Sequence, residues 1–559
     1  MNKNPIKNKI LLIQPAIEDF YSTDCRTQPL GLAYLGAAVK RDIPGVEVVL
    51  YDALSSGKKR TLPWPPEFEY LKKYYGHVDK SPFALFHNYY RFGKTIDEMK
   101  SELSTHSPFL IGISALFTPY YRTSIEAAQL CRKIFPNAVI VMGGGHATIA
   151  PESFFEARNG KNSVCDYIFY GEAEISFTQF TKAILNGDPV SAIPGVIASP
   201  SLAEAEEIQN RKRYFEKNEM DIHRPDIASL PHPDFSGLNQ KDYQFEKKPM
   251  AFLLTSRSCP HQCSFCAIHS VFGSRYRRRK NSDILAEIKK RIEENICHID
   301  IEDDSFAANR KETISLLDEI VQNKIPVTFS AMNGITYWHL DIEILEKMKK
   351  AGFSSLNLSL VSRGKRTGEN ANRPTDLDRF SKIVTMAKDL DFSVVASYII
   401  GMPGQTLEEM TSNLLYIASL PALLGASPYY FTPGTPDYRK WRESASVRLA
   451  SEKSDPFFAA RLTALDLETD DFNRDDIYTL FRLSRLVNHL KRGIDLGYAS
   501  DHPFYGPALD ALEKKEWSAE NGTSRIELPF SKNVASILAL SKLEVSGFKS
   551  KNKICFETR

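Results

Sequence analysis

Short apolar runs alternate with amphipathic stretches along most of this chain, and the alternation stops once before starting again. In the first 190 residues the runs are KILLIQP (9–15), VEVVLYD (46–52), FLIGISAL (109–116), AVIVMGGG (138–145) and DYIFYGE (166–172), with stretches such as LGLAYLGAAVKR and YRTSIEAAQLCRKIF between them. Apolar runs of this length read as strands buried on both faces, and the amphipathic stretches as helices that cover them. From 251 the rhythm resumes: MAFLLTSR, HIDIEDDSF, PVTFSAMN, SSLNLSLVS, FSVVASYIIGMPG and ASPYYFTPG alternate with helical patterns such as SDILAEIKKRIEEN and DIEILEKMKKAG. Both series have the signature of parallel sheet built from βα units.

At 559 residues the chain is too long for one core, and a prior of roughly three to four domains applies. Residues 1–197 are predicted to form a doubly wound, flavodoxin-like (Rossmann-type) α/β domain. Its ligand would lie beyond the strands' carboxyl ends, in the loops after Ile13, Ile113 and Met142. An insertion near 56–93, rich in proline and aromatics, interrupts the rhythm and reads as a cap. Residues 198–250, rich in Glu, Lys, Asp and Pro, read as a connector. Residues 251–440 hold six βα units, a partial (β/α)6 barrel with its active end at the strand carboxyl termini. Residues 441–559 contain DDIYTLFRLSRLVNHLKRGIDLG and VASILALSKLEV and are expected to be mainly helical.

With 42% apolar and 25% charged residues and a net charge of +2, the composition is that of an ordinary soluble protein, and no nucleic-acid partner is expected. The densest basic run, SRYRRRK (274–280), reads as a solvated face, with contact to an anionic cofactor as the lesser reading. No run of about 18 apolar residues occurs, and the opening residues show no long apolar segment followed by a small-residue cleavage site, so neither a membrane span nor a cleavable leader is expected. Five of the eight cysteines are scattered at Cys25, Cys131, Cys165, Cys297 and Cys555, which is not a disulfide framework. A cytoplasmic, reducing setting is the expectation.

The other three cysteines lie in TSRSCPHQCSFCAIHSVFG (255–273), as Cys259, Cys263 and Cys266 in the order C-x3-C-x2-C, just after the first barrel strand. A structural zinc site uses four protein ligands, and His261 or His269 is available as a fourth. A 4Fe-4S cluster held by three thiolates instead leaves one iron open for a substrate or cofactor. Three buried core cysteines are the third reading, which Pro260, His261 and Gln262 in the loop disfavour.

The spacing C-x3-C-x-aromatic-C at this place resembles the signature of radical S-adenosylmethionine (SAM) enzymes. That resemblance implies that Cys259, Cys263 and Cys266 hold the cluster, that SAM chelates the open iron, and that Phe265 lies near adenine. It makes Glu302, Asp303 and Asp304 of IEDDSF candidates for the SAM amino group, with a solvated or cation-binding turn as the other reading. It assigns Ser359, with Ser362 beside it, to the ribose or carboxylate. It assigns Gly401 and Gly404 of YIIGMPGQT to adenine, unless they only turn strand into helix around Pro403.

In the first domain, ISALF carries Ser114, Leu116 and Phe117, and VMGGGHATIAPE carries Gly143, Gly144, Gly145, His146 and Thr148. A triple glycine clears side chains where a large flat ligand approaches backbone. Together these resemble the S-x-L and Gly-Gly elements of cobalamin-binding domains, with Gln14 after the first strand and Glu172 of GEAEISF completing the candidate set. His146 is either a corrin contact or a loop histidine bonded to its surroundings. The D-x-H-x-x-G element that supplies an imidazole to cobalt is missing from QPAIEDFYSTDCRTQPLG. The chain's only D-x-H, Asp221-Ile222-His223, lies in the connector, so no histidine ligand from the first loop is expected.

Over about residues 8–440 the chain thus resembles the cobalamin-dependent radical SAM enzymes. The resemblance implies a methyltransferase acting on an unactivated carbon: one SAM remethylates cobalamin, and a second yields a 5'-deoxyadenosyl radical that takes a substrate hydrogen. The alternatives are a cobalamin-dependent cyclase or rearrangement enzyme without net methylation, and a non-catalytic iron-sulfur protein. An electron donor such as flavodoxin or ferredoxin is implied, with a small molecule or a peptide or protein side chain as substrate. YYFTPGTPDY (429–438) would face the barrel mouth, either closing it with turns or forming a substrate wall.

Overall fold

A computed structural model describes residues 8–21, 28–55, 58–77, 79, 81–155, 163–199, 224–450, 455–503, 505–514, 516–521, 524–529, 531–548 and 553–557. Asp221, Ile222 and His223 lie outside the described residues. Strand β1 (Lys9–Gln14) is buried over five of its six residues because it sits inside the sheet, paired in parallel with β2 (Glu47–Asp52) and β3 (Leu110–Ser114). The sheet continues with β4 (Val139–Gly143) and β5 (Tyr167–Phe169), both parallel, and ends in the antiparallel β6 (Val196–Ala198). Alternate residues feed two cores. Ile10, Leu12, Leu110, Val141 and Phe169 meet Leu32, Val39, Phe177 and Phe180 of the helices Leu30–Asp42 and Glu174–Asn186 on one face. Leu11, Ile13, Ile111 and Ile140 meet Ala127, Leu130 and Met99 on the other. The order β2-β1-β3-β4-β5 is that of the flavodoxin-like fold, with its switch point between β1 and β3, where such sheets bind ligands.

The second sheet series has six parallel strands: β7 (Lys248–Leu253), β8 (His298–Ile301), β9 (Thr328–Ser330), β10 (Ser355–Val361), β11 (Ser393–Ile400) and β12 (Leu423–Pro428). Parallel bridges Phe329–Phe353 and Ile335–Leu358 join its two halves. Among the described residues β12 pairs only with β11, so the barrel stays open, as a partial (β/α)6 barrel should. The long helix Arg474–Leu496 fills that open side. Its Asn488 takes the place of a strand: the amide oxygen accepts from Leu424 N at 2.7 Å and Nδ2 donates to Leu424 O at 2.9 Å. The buried Lys491 caps the helix Leu407–Ala418 by donating to the carbonyls of Ala418 and Leu420, and also reaches Ser546 O. Beyond it, each of the helices Gly506–Lys514 and Lys532–Ala539 is followed by a hairpin that the helical pattern did not announce.

The aromatic insertion forms a small antiparallel sheet, Lys59–Leu62 and Tyr89–Phe92 with Ile17–Asp19, followed inside by a helical turn at Pro66–Tyr75. Phe20 is its hub, with Trp64, Phe68, Tyr75 and Tyr89 at ring-centre distances of 4.9 to 5.6 Å. No described helix is long and apolar enough to cross a membrane.

Candidate active site

Beyond β7 the chain turns into the cysteine loop, and a single carboxylate braces the turn. Asp303 accepts from the backbone N–H of Thr255 (2.6 Å) and Ser256 (3.1 Å) and from both hydroxyls, with Ser256 Oγ at 2.6 Å. Asp303 is therefore not a SAM-facing acid, because its lone pairs are spent on the strand end. Ser258 takes a left-handed φ of 68°, its N–H held by Asp304 at 3.0 Å and its hydroxyl donating to Gly273 O. This closes the loop onto the short helix Ile268–Phe272. The three cysteines are half-buried and free of disulfides. Burial pushes all three thiols up, Cys266 to about 12.

The two histidines of the zinc alternative are engaged elsewhere: His261 Nε2 bonds His339 Nε2 at 3.0 Å, and His269 Nε2 bonds the Cys259 carbonyl at 2.9 Å. Among the described residues no group of three or more His, Cys, Asp and Glu is arranged to hold a single metal ion. The three free cysteines on one loop are a donor set that would suit a 4Fe-4S cluster, in which each thiolate would bind one iron and no fourth protein ligand is needed when one iron is left for another group.

The other SAM candidates divide. Asp304 and Glu302 stand at the end of β8, half-buried; burial and the neighbouring Asp303 raise Asp304 to about 6, and Glu302 accepts from Asn333 at 3.0 Å. Phe265 is partly buried against the core and Ser359 is half-buried on β10, whereas Ser362 is taken up by Glu409 and Asn413. At Gly401 the φ is 85° and the position of a Cβ lies 3.0 Å from Ile477, so the missing side chain also makes room for the C-terminal helix. Gly404, φ 82°, has no atom within 4 Å of that position.

In the first domain, Leu116 and Phe117 are 52% and 46% exposed directly beyond β3, an uncommon state for two adjoining large apolar side chains. Ser114 is half-buried beside them. At the glycine run, a Cβ would lie 2.9 Å from Ala115 O at Gly144 and 2.8 Å from Leu116 O at Gly145, with a milder 3.5 Å contact to Phe169 at Gly143. At the last two positions the space is taken by the neighbouring loop's backbone. Gly144 also has φ 113°, so Gly144→Ala is expected to cost about 1–3 kcal/mol. Chemical unfolding measures it, and an unchanged midpoint contradicts it.

Four cobalamin candidates point inward, each for a stated reason. His146 is fully buried, with Nδ1 on Thr118 Oγ1 (3.3 Å) and Nε2 on Ser153 Oγ (3.0 Å), and burial pulls it down to about 3; both ring nitrogens are engaged within the fold. Thr148 donates to Gly144 O and accepts from Gly171 N, tying two loops together. Gln14 donates to the buried Asp52, which also accepts from Tyr243. Glu172 is bound by Arg257 Nη1 at 2.6 Å and by Arg277, while Arg257 Nη2 takes Glu174 at 2.5 Å.

That clasp is what sequence reading missed: Arg257, two residues before Cys259, joins the cysteine loop to the first domain. SRYRRRK is likewise not a solvated face, since Arg279 is buried on Glu287 and Asp283 and Arg277 reaches Glu172. The junction closes around it. The helix Gly145–Ile149 lies on the helix Ile268–Phe272, with the Cβ position of Gly145 4.0 Å from Val271. Ile149 also packs on Gly434, whose carbonyl accepts from Ser270 at 3.0 Å. Tyr430 is 36% exposed, and its phenol is raised chiefly by burial. A segment from the C-terminal region completes the join: Asp455 accepts from Tyr121 (2.5 Å) and Arg122, and Arg461 pairs with the buried Asp19 at 3.2 Å.

Residues 253–416 match the Radical SAM superfamily and residues 88–181 match the B12 binding domain. The chain is 25% identical over 438 residues, 73% of its length and 76% of the relative's, to the cytidylyl-2-hydroxyethylphosphonate methyltransferase of Streptomyces wedmorensis. It is 23% identical over 405 residues, 70% and 63% of the two chains, to the anaerobic magnesium-protoporphyrin IX monomethyl ester cyclase of Cereibacter sphaeroides. Among solved structures, the radical S-adenosylmethionine methyltransferase TsrM from Kitasatospora setae, with cobalamin and a [4Fe-4S] cluster bound, shares the fold. Its TM-score is 0.57 over 82% of this chain and 85% of that one, at 16% identity.

Proposed function

We propose that this chain, which belongs to the cobalamin-dependent radical SAM enzymes, is a methyltransferase that places a methyl group on an unactivated carbon. The observation that carries the reading is the junction: the helix after the glycine run lies against the helix after Cys266, which brings the two candidate ligand-binding loops side by side. When bound, the 4Fe-4S cluster and SAM supply a 5'-deoxyadenosyl radical, and cobalamin carries the methyl group. Cys259, Cys263 and Cys266 hold the cluster; Phe265, Glu302, Asp304, Ser359 and Gly404 line the approach of SAM. Ser114, Leu116, Phe117 and the backbone of Gly143, Gly144 and Gly145 receive the corrin. Leu116 and Phe117 fit that role because an apolar macrocycle face covers what solvent otherwise meets.

The protein's part is positional. The Arg257 clasp fixes the cysteine loop against the first domain, keeping reacting groups in reach. The enzyme works in a reducing cytoplasm with an electron donor of the flavodoxin or ferredoxin type, on a small molecule or a peptide or protein side chain. The likeness to a cyclase keeps a second reading, ring formation or rearrangement without net methylation.

The test uses anaerobically purified, cluster- and cobalamin-loaded protein, methyl-labelled SAM and fractionated cell extract as acceptor. Label in a product together with 5'-deoxyadenosine is expected. Label confined to cobalamin overturns methylation in favour of the second reading, and no SAM cleavage by the reduced protein favours a non-catalytic iron-sulfur protein.

A further inference from the structure

Among the described residues Arg373 is a buried cation without an acid. Seven arginines among them are buried to 7% exposure or less; six, Arg91, Arg257, Arg279, Arg291, Arg461 and Arg482, each meet a carboxylate. Among the described residues none lies within ion-pair distance of Arg373. Its Nη2 donates to Thr336 Oγ1 at 2.7 Å, its Nε is buried with no partner, and its Nη1 points at Cys263 Sγ from 3.8 Å. Burying a guanidinium without a counter-charge costs several kcal/mol, and the other six arginines show how this fold avoids that cost. At Arg373 the described residues supply no such charge, and the group at hand to supply one is the Cys263 sulfur. A thiolate-ligated cluster is anionic, and hydrogen bonds and positive charge at its sulfurs stabilise the reduced form.

We propose that Arg373 is the built-in counter-cation of the cluster, donating to the Cys263 sulfur and raising the cluster's reduction potential so that it accepts its electron more readily. The inference rests on the cluster reading above and deepens it. Arg373 does not touch reacting atoms on this account; it is a positioning residue that acts through the cluster.

The test compares wild type with Arg373→Met, which keeps the volume, and Arg373→Lys, which keeps the charge, in the full chain with the cluster reconstituted and SAM omitted. Iron and sulfide are counted, and the reduced fraction is read by EPR during a dithionite-based redox titration. At the wild-type midpoint the ratio of reduced to oxidised cluster is expected to fall about tenfold in the Met variant, equivalent to about 59 mV for a one-electron couple. The Lys variant is expected in between. A fully loaded Met variant with an unchanged ratio overturns the proposal, whereas a wild type that binds no iron overturns the cluster reading beneath it. Should the Met variant fail to assemble a cluster, Arg373→Lys and Thr336→Val carry the same comparison. Thr336→Val frees Nη2 from its anchor, and an unchanged ratio in both of these overturns the proposal equally.

Discussion

Replacing Cys259, Cys263 and Cys266 together by alanine is expected to strip iron and sulfide from the protein, reduce SAM cleavage to background and leave cobalamin binding in place. The cluster depends on thiolates, and the fold offers no substitute: His261 and His269 are held by His339 and a backbone carbonyl. The loop itself should survive the change. It is shaped by Asp303 beneath Thr255 and Ser256, by Ser258 in its left-handed turn and by the clasp at Arg257, none of which involves a cysteine sulfur. The candidate cobalamin loops hang from a different sheet. Iron and sulfide analysis, 5'-deoxyadenosine assay and the absorbance of retained cobalamin read the three outcomes separately. A triple variant that kept its iron would refute the assignment of the site.

Arg257→Ala is expected to be the most damaging single change outside the cysteines, lowering stability by about 3–5 kcal/mol. Glu172 and Glu174 are both buried, and among the described residues Glu174 has only Arg257 as a cation within ion-pair distance; burial pushes its carboxyl up, and Arg257 holds it below the usual range. Removing the guanidinium leaves a charge in the interior, which costs far more than the intact pair contributes. The expected reading is a lower urea midpoint together with weaker cobalamin retention, because the same bonds fix the first domain to the cysteine loop. A triple change of Arg257, Glu172 and Glu174 to apolar residues of similar volume should recover much of the stability, since no unpaired charge remains. A single variant as stable as wild type would show that the clasp contributes nothing.

The layers of this fold were legible because burial imposes period. β1, β3 and β4 had to be apolar to lie inside a covered sheet, and the helices Leu30–Asp42 and Tyr121–Ile134 had to carry a stripe to cover it. The cysteine loop was legible because three thiols at that spacing have few other uses. What stayed hidden was the direction in which polar residues at strand ends point. Asp303 and Asp304 are adjacent in sequence, yet one braces the strand end with four hydrogen bonds and the other stands half-buried beside it. His146 sits in a motif that favours ligand contact but spends both nitrogens on Thr118 and Ser153. Arg277 and Arg279 looked solvated because their acids, Glu172 and Glu287, are defined only by the tertiary fold. That Gly401 also leaves room for Ile477 could not be read locally, because Ile477 lies 76 residues further along.

The insertion and the C-terminal helix meet through Arg482 on Asp79, Arg485 on the carbonyl of Ala84, and Tyr74 against Tyr478. Two segments about 400 positions apart are therefore one heritable unit. A recombination event that imported the cap of a sister enzyme without its matching tail would strand the buried Arg482 without Asp79.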